Sequence, residues 1–166
     1  GLVGSEMCIR DRQICLNNNM RFFLILILIP FFTTGVFSKT VEVEMWTNFN
    51  DEKKNQRYEP LIVSIDIGDT IIWKSVEKSH NVEFMKGGVP EGVGDFKSAI
   101  SQDAEFTFTI PGIYAYICSP HKTGKMVGFV IVGNDKSNLV NIKELKYRGP
   151  TKKFAAQLIE EIENNY

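Results

Sequence analysis

Between Thr40 and Gly133 the apolar positions recur at every second residue and are interrupted by Gly, Pro, Asp and Asn, which predicts short strands joined by turns. In "TVEVEMWT", Val41, Val43 and Met45 alternate with Glu42 and Glu44, one face for a core and one for water. "EPLIVSID" and "TIIWKS" flank a turn at Asp66-Ile67-Gly68-Asp69, and "HNVEF" is a short extended run. "AEFTFTI" puts Phe106, Phe108 and Ile110 on one face, and Pro111-Gly112 turns the chain into "IYAYIC". "MVGFVIVG" closes the series as a nearly all-apolar strand. The pattern predicts a mainly β fold, a Greek-key sandwich of about eight strands over residues 39–133.

After Gly133 the period changes to that of a helix. "KSNLVNIKELK" and "PTKKFAAQLIEEIENNY" predict two C-terminal α-helices within 134–166, separated at Gly149-Pro150, with Ser137 and Thr151 as candidate caps. Phe154, Leu158 and Ile162 stand four apart with Ile159 beside them, a stripe expected to lie over the sheet rather than to dock a partner.

The start of the chain is set aside. Met20-Arg21 followed by "FFLILILIPFFTTGVFS" reads as a secretory signal peptide over 20–38, cut before Lys39, and residues 1–19, beginning "GLVGSEMCIRDR", resemble a translated adapter. Without them, Cys8 and Cys15 drop out and Cys118 stands alone in an exported, periplasmic chain, where an unpaired thiol needs a reason such as a metal. The 166 residues suit one domain, and a net charge of −1 argues against nucleic acid or an anionic membrane surface as partner. A monomer with no membrane contact after signal cleavage is expected.

"YICSPHKTGKM", residues 116–126, gathers Cys118, His121 and Met126 in a loop between two predicted strands. The chain has two histidines, and a sandwich can bring His80, at the start of "HNVEF", beside that loop. Zinc has little use for a thioether, and calcium and magnesium want oxygen donors. Two imidazoles, a thiolate and a weak axial methionine suit copper in both of its oxidation states. Three alternatives remain open at this point: a Cys118–His121 hydrolase, a store or delivery protein for copper, and a plain β domain with these residues in its core.

"SHNVEF", "FKSAISQDAEFTFTIPGIYAYICSPHKTGKMVGFVIVG" and the two trailing helices resemble the pseudoazurins, small blue-copper electron carriers of the cupredoxin family. The resemblance implies a one-electron carrier rather than an enzyme, with one copper on His80, Cys118, His121 and Met126, and with His121 as the solvent-edge ligand. It also implies that Asn81 ties the two ligand loops together, with Ser119 as its partner and Pro120 stiffening the loop. The redox partners it implies are c-type cytochromes and copper nitrite reductase. Lys78, Lys86, Lys97, Lys122 and Lys125 flank the ligand segments and are expected to form a basic rim around Gly87, Gly88, Val89 and Pro120. One stretch departs from the family: "NFNDEKKNQRYEP" is long and charged, and it places Gln56 or Arg57 near the exposed ligand.

Overall fold

The computed structural model describes residues 38–51 and 55–166. The leader expected over 1–19 and the signal peptide expected over 20–38, Ser38 apart, lie outside the described residues. Eight strands follow in chain order: β1 Thr40–Trp46, β2 Arg57–Glu59, β3 Ile62–Ile65, β4 Thr70–Lys74, β5 Glu83–Phe84, β6 Ala104–Thr107, β7 Gly112–Ile117 and β8 Val127–Val132. They form two four-stranded sheets, ordered β2-β1-β4-β6 and β3-β8-β7-β5. The β1–β4 and β3–β8 pairs are parallel and the other pairs antiparallel.

The stretch "EPLIVSID" is not a single strand: its Glu59 ends β2, and Ile62–Ile65 forms β3. Arg57–Glu59 pairs with β1 in the first sheet, whereas Ile62–Ile65 pairs with β8 in the second. Pro60 falls between the two, where a residue with no N–H to donate interrupts a ladder at little cost. The chain therefore changes sheets here, and Tyr58 is left pointing into the space between them.

That space is filled by Val43, Met45, Tyr58, Ile71 and Trp73 from one sheet and by Val63, Ile65, Tyr114, Tyr116, Val130 and Val132 from the other. Tyr116 stands edge-on to Tyr58 and to Trp73, with ring centroids 4.8 and 5.4 Å away. Such aromatic pairs add about 0.5–1.5 kcal/mol each beyond the area they bury. Strand β1 keeps its alternation because its other face meets water.

β7 and β8 are apolar on both faces because both faces are covered. Their outward residues, Ile113, Ala115, Val127, Phe129 and Ile131, lie under Ile142 of α1 (Leu139–Glu144) and Ala155, Leu158, Ile159 and Ile162 of α2 (Pro150–Asn165). Neither Ser137 nor Thr151 stands at the N-cap, a position that Asn138 and Gly149 take instead. Asn138 precedes α1, and its side chain accepts from Ile113 N at 2.9 Å and donates to Ile113 O at 2.8 Å, binding the helix start to β7. Gly149 precedes α2, and Thr151, inside the first turn and buried, turns its hydroxyl toward the loop after β7.

Candidate metal centre

β7 ends at Ile117 opposite Val127, the first residue of β8, so residues 118–126 form the loop at one end of the sandwich. Backbone bonds fold that loop tightly: Cys118 N to Met126 O at 3.2 Å, His121 N to Cys118 O at 3.0 Å and Gly124 N to His121 O at 2.8 Å. The hydroxyl of Thr151 accepts from Lys125 N and donates to Lys122 O, both at 3.0 Å, so α2 grips the loop from outside.

His80 arrives from the β4–β5 connection. Its Nδ1 lies 3.8 Å from Cys118 Sγ, and His121 Nδ1 lies 3.4 Å from the same sulfur. The ligating atoms of the three residues are all within 4.8 Å of one another. An ion about 2.0–2.3 Å from a nitrogen and a sulfur, at an angle near 110–120°, separates them by about 3.5–3.8 Å. The donor set therefore fits a single ion. His80, Cys118 and Met126 are fully buried, and His121 alone of the four is partly exposed.

Burial works against charge on each group. It pulls His80 down to about 4, helped by repulsion from His121, while the carboxylate of Glu77 opposes the shift. It also lowers His121 and pushes the Cys118 thiol up, a rise that the neighbouring backbone N–H groups of Asn81 and His121 oppose. Neutral imidazoles with free lone pairs, beside a buried sulfur, form a site that a cation completes.

The model of the copper-binding proteins of the plastocyanin/azurin family matches residues 43–133, more than half of the chain and all four of these residues. The chain belongs to that family. Within it, the similarity is to pseudoazurins. The pseudoazurin of Paracoccus pantotrophus is 41% identical over 110 residues, 66% of this chain and 74% of that protein. A protein named for pseudoazurin in Rhizobium leguminosarum bv. viciae is 43% identical over 89 residues, 54% of this chain but only 59% of its own length. The crystal structure of pseudoazurin from Methylobacterium extorquens AM1 superposes with a TM-score of 0.69 at 31% identity, covering 74% of this chain and 98% of that one.

Around the cupredoxin site, Asn81 is fully buried and spans the two loops. Its Oδ1 accepts from Ser119 N at 2.8 Å, and its Nδ2 donates to Ser119 Oγ at 3.2 Å and to Ser98 O at 3.4 Å. Ser119 Oγ also donates to Glu83, whose carboxylate is 3.1 Å from Lys97 Nζ and is held below its ordinary range chiefly by that serine. Pro120 is exposed at the loop's surface.

Four residues that sequence reasoning passed over complete the setting. Tyr58 Oη donates to Asn81 O at 2.7 Å, Thr47 Oγ1 lies 2.7 Å from His80 Nε2, and Glu77 and Glu83 hold neighbouring backbone and side-chain donors. A buried Tyr in "RYEP" signals that its hydroxyl has a partner, but not which one. Nothing in the sequence links Thr47 to His80, which is 33 positions away.

The five lysines do not share one place. Lys78, Lys97, Lys122 and Lys125 are exposed on the segments that carry or brace the site. Lys86 is carried away from it, because Glu83 pairs with Ile117 and Phe84 with Tyr116, so the chain past Phe84 runs back from Cys118. Gly87, Gly88 and Val89 go with it: Ala115 N bonds to Gly88 O, and an added Cβ at Gly88 would meet Leu145 at 2.9 Å. The expected apolar centre is thus reduced to Pro120. Lys146 and Arg148, overlooked in the sequence, line a small cavity with Lys122. In the charged segment Gln56 reaches the loop, its Oε1 standing 2.5 Å from where a Cβ on Gly124 would be, and Arg57 lines a cavity with Thr123, Gly124 and Lys125.

Proposed function

We propose that the chain is a periplasmic blue-copper carrier that takes one electron from one redox protein and gives it to another, using His80, Cys118, His121 and Met126 as its copper ligands. The observation that carries this reading is the meeting of three buried or half-buried ligating atoms within 4.8 Å, contributed by loops 38 residues apart and braced from both sheets. Copper bound there supplies one reversible electron through its Cu(II)/Cu(I) couple. His80, Cys118 and Met126 exclude water, and the hydrogen-bonded loops hold the donors where they stand, so little has to move when the charge changes. His121 brings the site to the surface and offers the route along which an electron enters and leaves.

Lys78, Lys97, Lys122 and Lys125, with Lys146 and Arg148, give this end of a nearly neutral molecule a positive character suited to acidic redox partners. The pseudoazurin likeness makes c-type cytochromes and copper nitrite reductase the partners to try first. Periplasmic location rests on the expected signal peptide over 20–38, and the division into a sandwich over 39–133 and helices over 134–166 on the boundaries of the elements. Full burial of three of the donors disfavours a delivery role, which needs ligand exchange with a receiver.

The test is reconstitution with Cu(II), followed by visible and electron-paramagnetic spectroscopy. An intense colour that a mild reductant bleaches reversibly, and that Cys118→Ser abolishes, supports the carrier. A colourless Cu(I) form that resists oxidation would point to a copper store instead.

A further inference from the structure

His80 is fully buried, so both ring nitrogens need partners within the protein. Nδ1 faces Cys118 Sγ at 3.8 Å, and Nε2 lies 2.7 Å from the hydroxyl oxygen of Thr47. Thr47 follows the last residue of β1, and the end of that strand is itself held. The carboxylate of Glu77 accepts from Thr47 N, from Asn48 N at 2.9 Å and from Asn48 Nδ2 at 3.2 Å. Glu77 N in turn donates to Met45 O at 3.3 Å. Glu77 stands three residues before His80 on the connection leaving β4, the parallel neighbour of β1. Threonine, glutamate and histidine therefore close a ring between two adjacent strand ends.

We propose that Thr47, held in place by Glu77, is a positioning residue for His80: its Oγ1 accepts a hydrogen bond from Nε2–H, which fixes the imidazole with the Nδ1 lone pair directed at the metal position. The inference rests on the reading of His80 as a copper ligand. The physical reason is the difference between the two neutral forms of the ring. With the proton on Nε2, Nδ1 is free to bind a metal; with the proton on Nδ1, the ring would present N–H toward Cys118 and could not. A hydroxyl can accept from the first form or donate to the second. The 2.7 Å contact is compatible with both, but only the first leaves the donor set intact. Glu77 acts on the backbone that carries Thr47, not on the ring, and so sets where the hydroxyl stands. Outer partners of ligating histidines typically govern metal affinity by about 10–100-fold.

The experiment uses the copper-loaded protein and the variants Thr47→Val, Thr47→Ser and Glu77→Gln. Copper affinity is measured by competition with a chelator, and exchange of the His80 Nε2 proton with water by nitrogen-15 spectroscopy of the diamagnetic Cu(I) form. Expected results are a slowly exchanging Nε2–H in the native protein, and in Thr47→Val a loss of affinity of about 10-fold or more with faster exchange of that proton. Thr47→Ser should restore both to near-native values, and Glu77→Gln should fall between. Thermal melts of each loaded variant separate these effects from loss of fold. Native affinity and native exchange in Thr47→Val overturn the positioning role alone. Failure of the native protein to bind copper overturns the metal-site reading, and the inference with it.

Discussion

Replacing Asn81 by Ala tests the tie between the two loops that carry the ligands. The substitution removes three hydrogen bonds at once, one accepted from Ser119 N at 2.8 Å and two donated to Ser119 Oγ and Ser98 O at 3.2 and 3.4 Å. An unsatisfied buried N–H costs about 1–3 kcal/mol, and each of the longer bonds contributes about 0.5–1 kcal/mol net. Because Asn81 is fully buried, water does not replace them, and the expected loss is about 2–5 kcal/mol. With a urea dependence of about 1.5 kcal/mol per M, a 3 kcal/mol loss lowers the unfolding midpoint by about 2 M. The measurement is urea unfolding of the copper-loaded protein, followed by far-ultraviolet circular dichroism and by the visible band. The visible band should also shift, since the Cys118 and His80 loops are no longer held in register. Asn81→Asp keeps the acceptor for Ser119 N and should lose less. A midpoint within about 0.3 M of the native value, with an unchanged band, would falsify the idea that this side chain joins the loops.

Gly128→Ala places a Cβ 2.5 Å from the Tyr116 ring, so the ring must leave its contacts with Tyr58 and Trp73. A loss of about 1–3 kcal/mol follows, read as a fall of several degrees in Tm, and an unchanged Tm contradicts the packing described. Lys125→Ala should leave the colour intact and slow reduction by an acidic partner about two- to five-fold at about 0.01 M salt, with the difference gone at about 0.5 M; equal rates at every ionic strength count against a basic docking face. The Glu77 carboxyl is held below its ordinary 4.5 by the backbone N–H groups of Asn48 and Thr47, so its contribution to stability is complete above about pH 4.5 and is lost as the pH falls through its lowered value. Urea midpoints measured from pH 6 to pH 3 should show a shallower acid decline in Glu77→Gln than in the native chain; parallel declines refute the assignment.

Period-two alternation determined the strands of the sandwich, because a sheet that buries one face writes that face into every second residue, as in Val41, Val43 and Met45. The all-apolar run of β8 likewise announced burial on both faces, and the stripe of α2 supplied one of the covers. Cys118, His121 and Met126 could be recognised together because a single short loop carries them. Local pattern carried no information on what crosses from one sheet or loop to another. The division of "EPLIVSID" between two sheets, the retreat of Lys86 from the site and the use of Thr151 as a loop clasp rather than a cap depend on register and packing. The same holds for the contact of Thr47 with His80. Hydrogen bonds between residues some 30 positions apart leave no periodic trace, since their geometry exists only once the strands that carry them lie side by side.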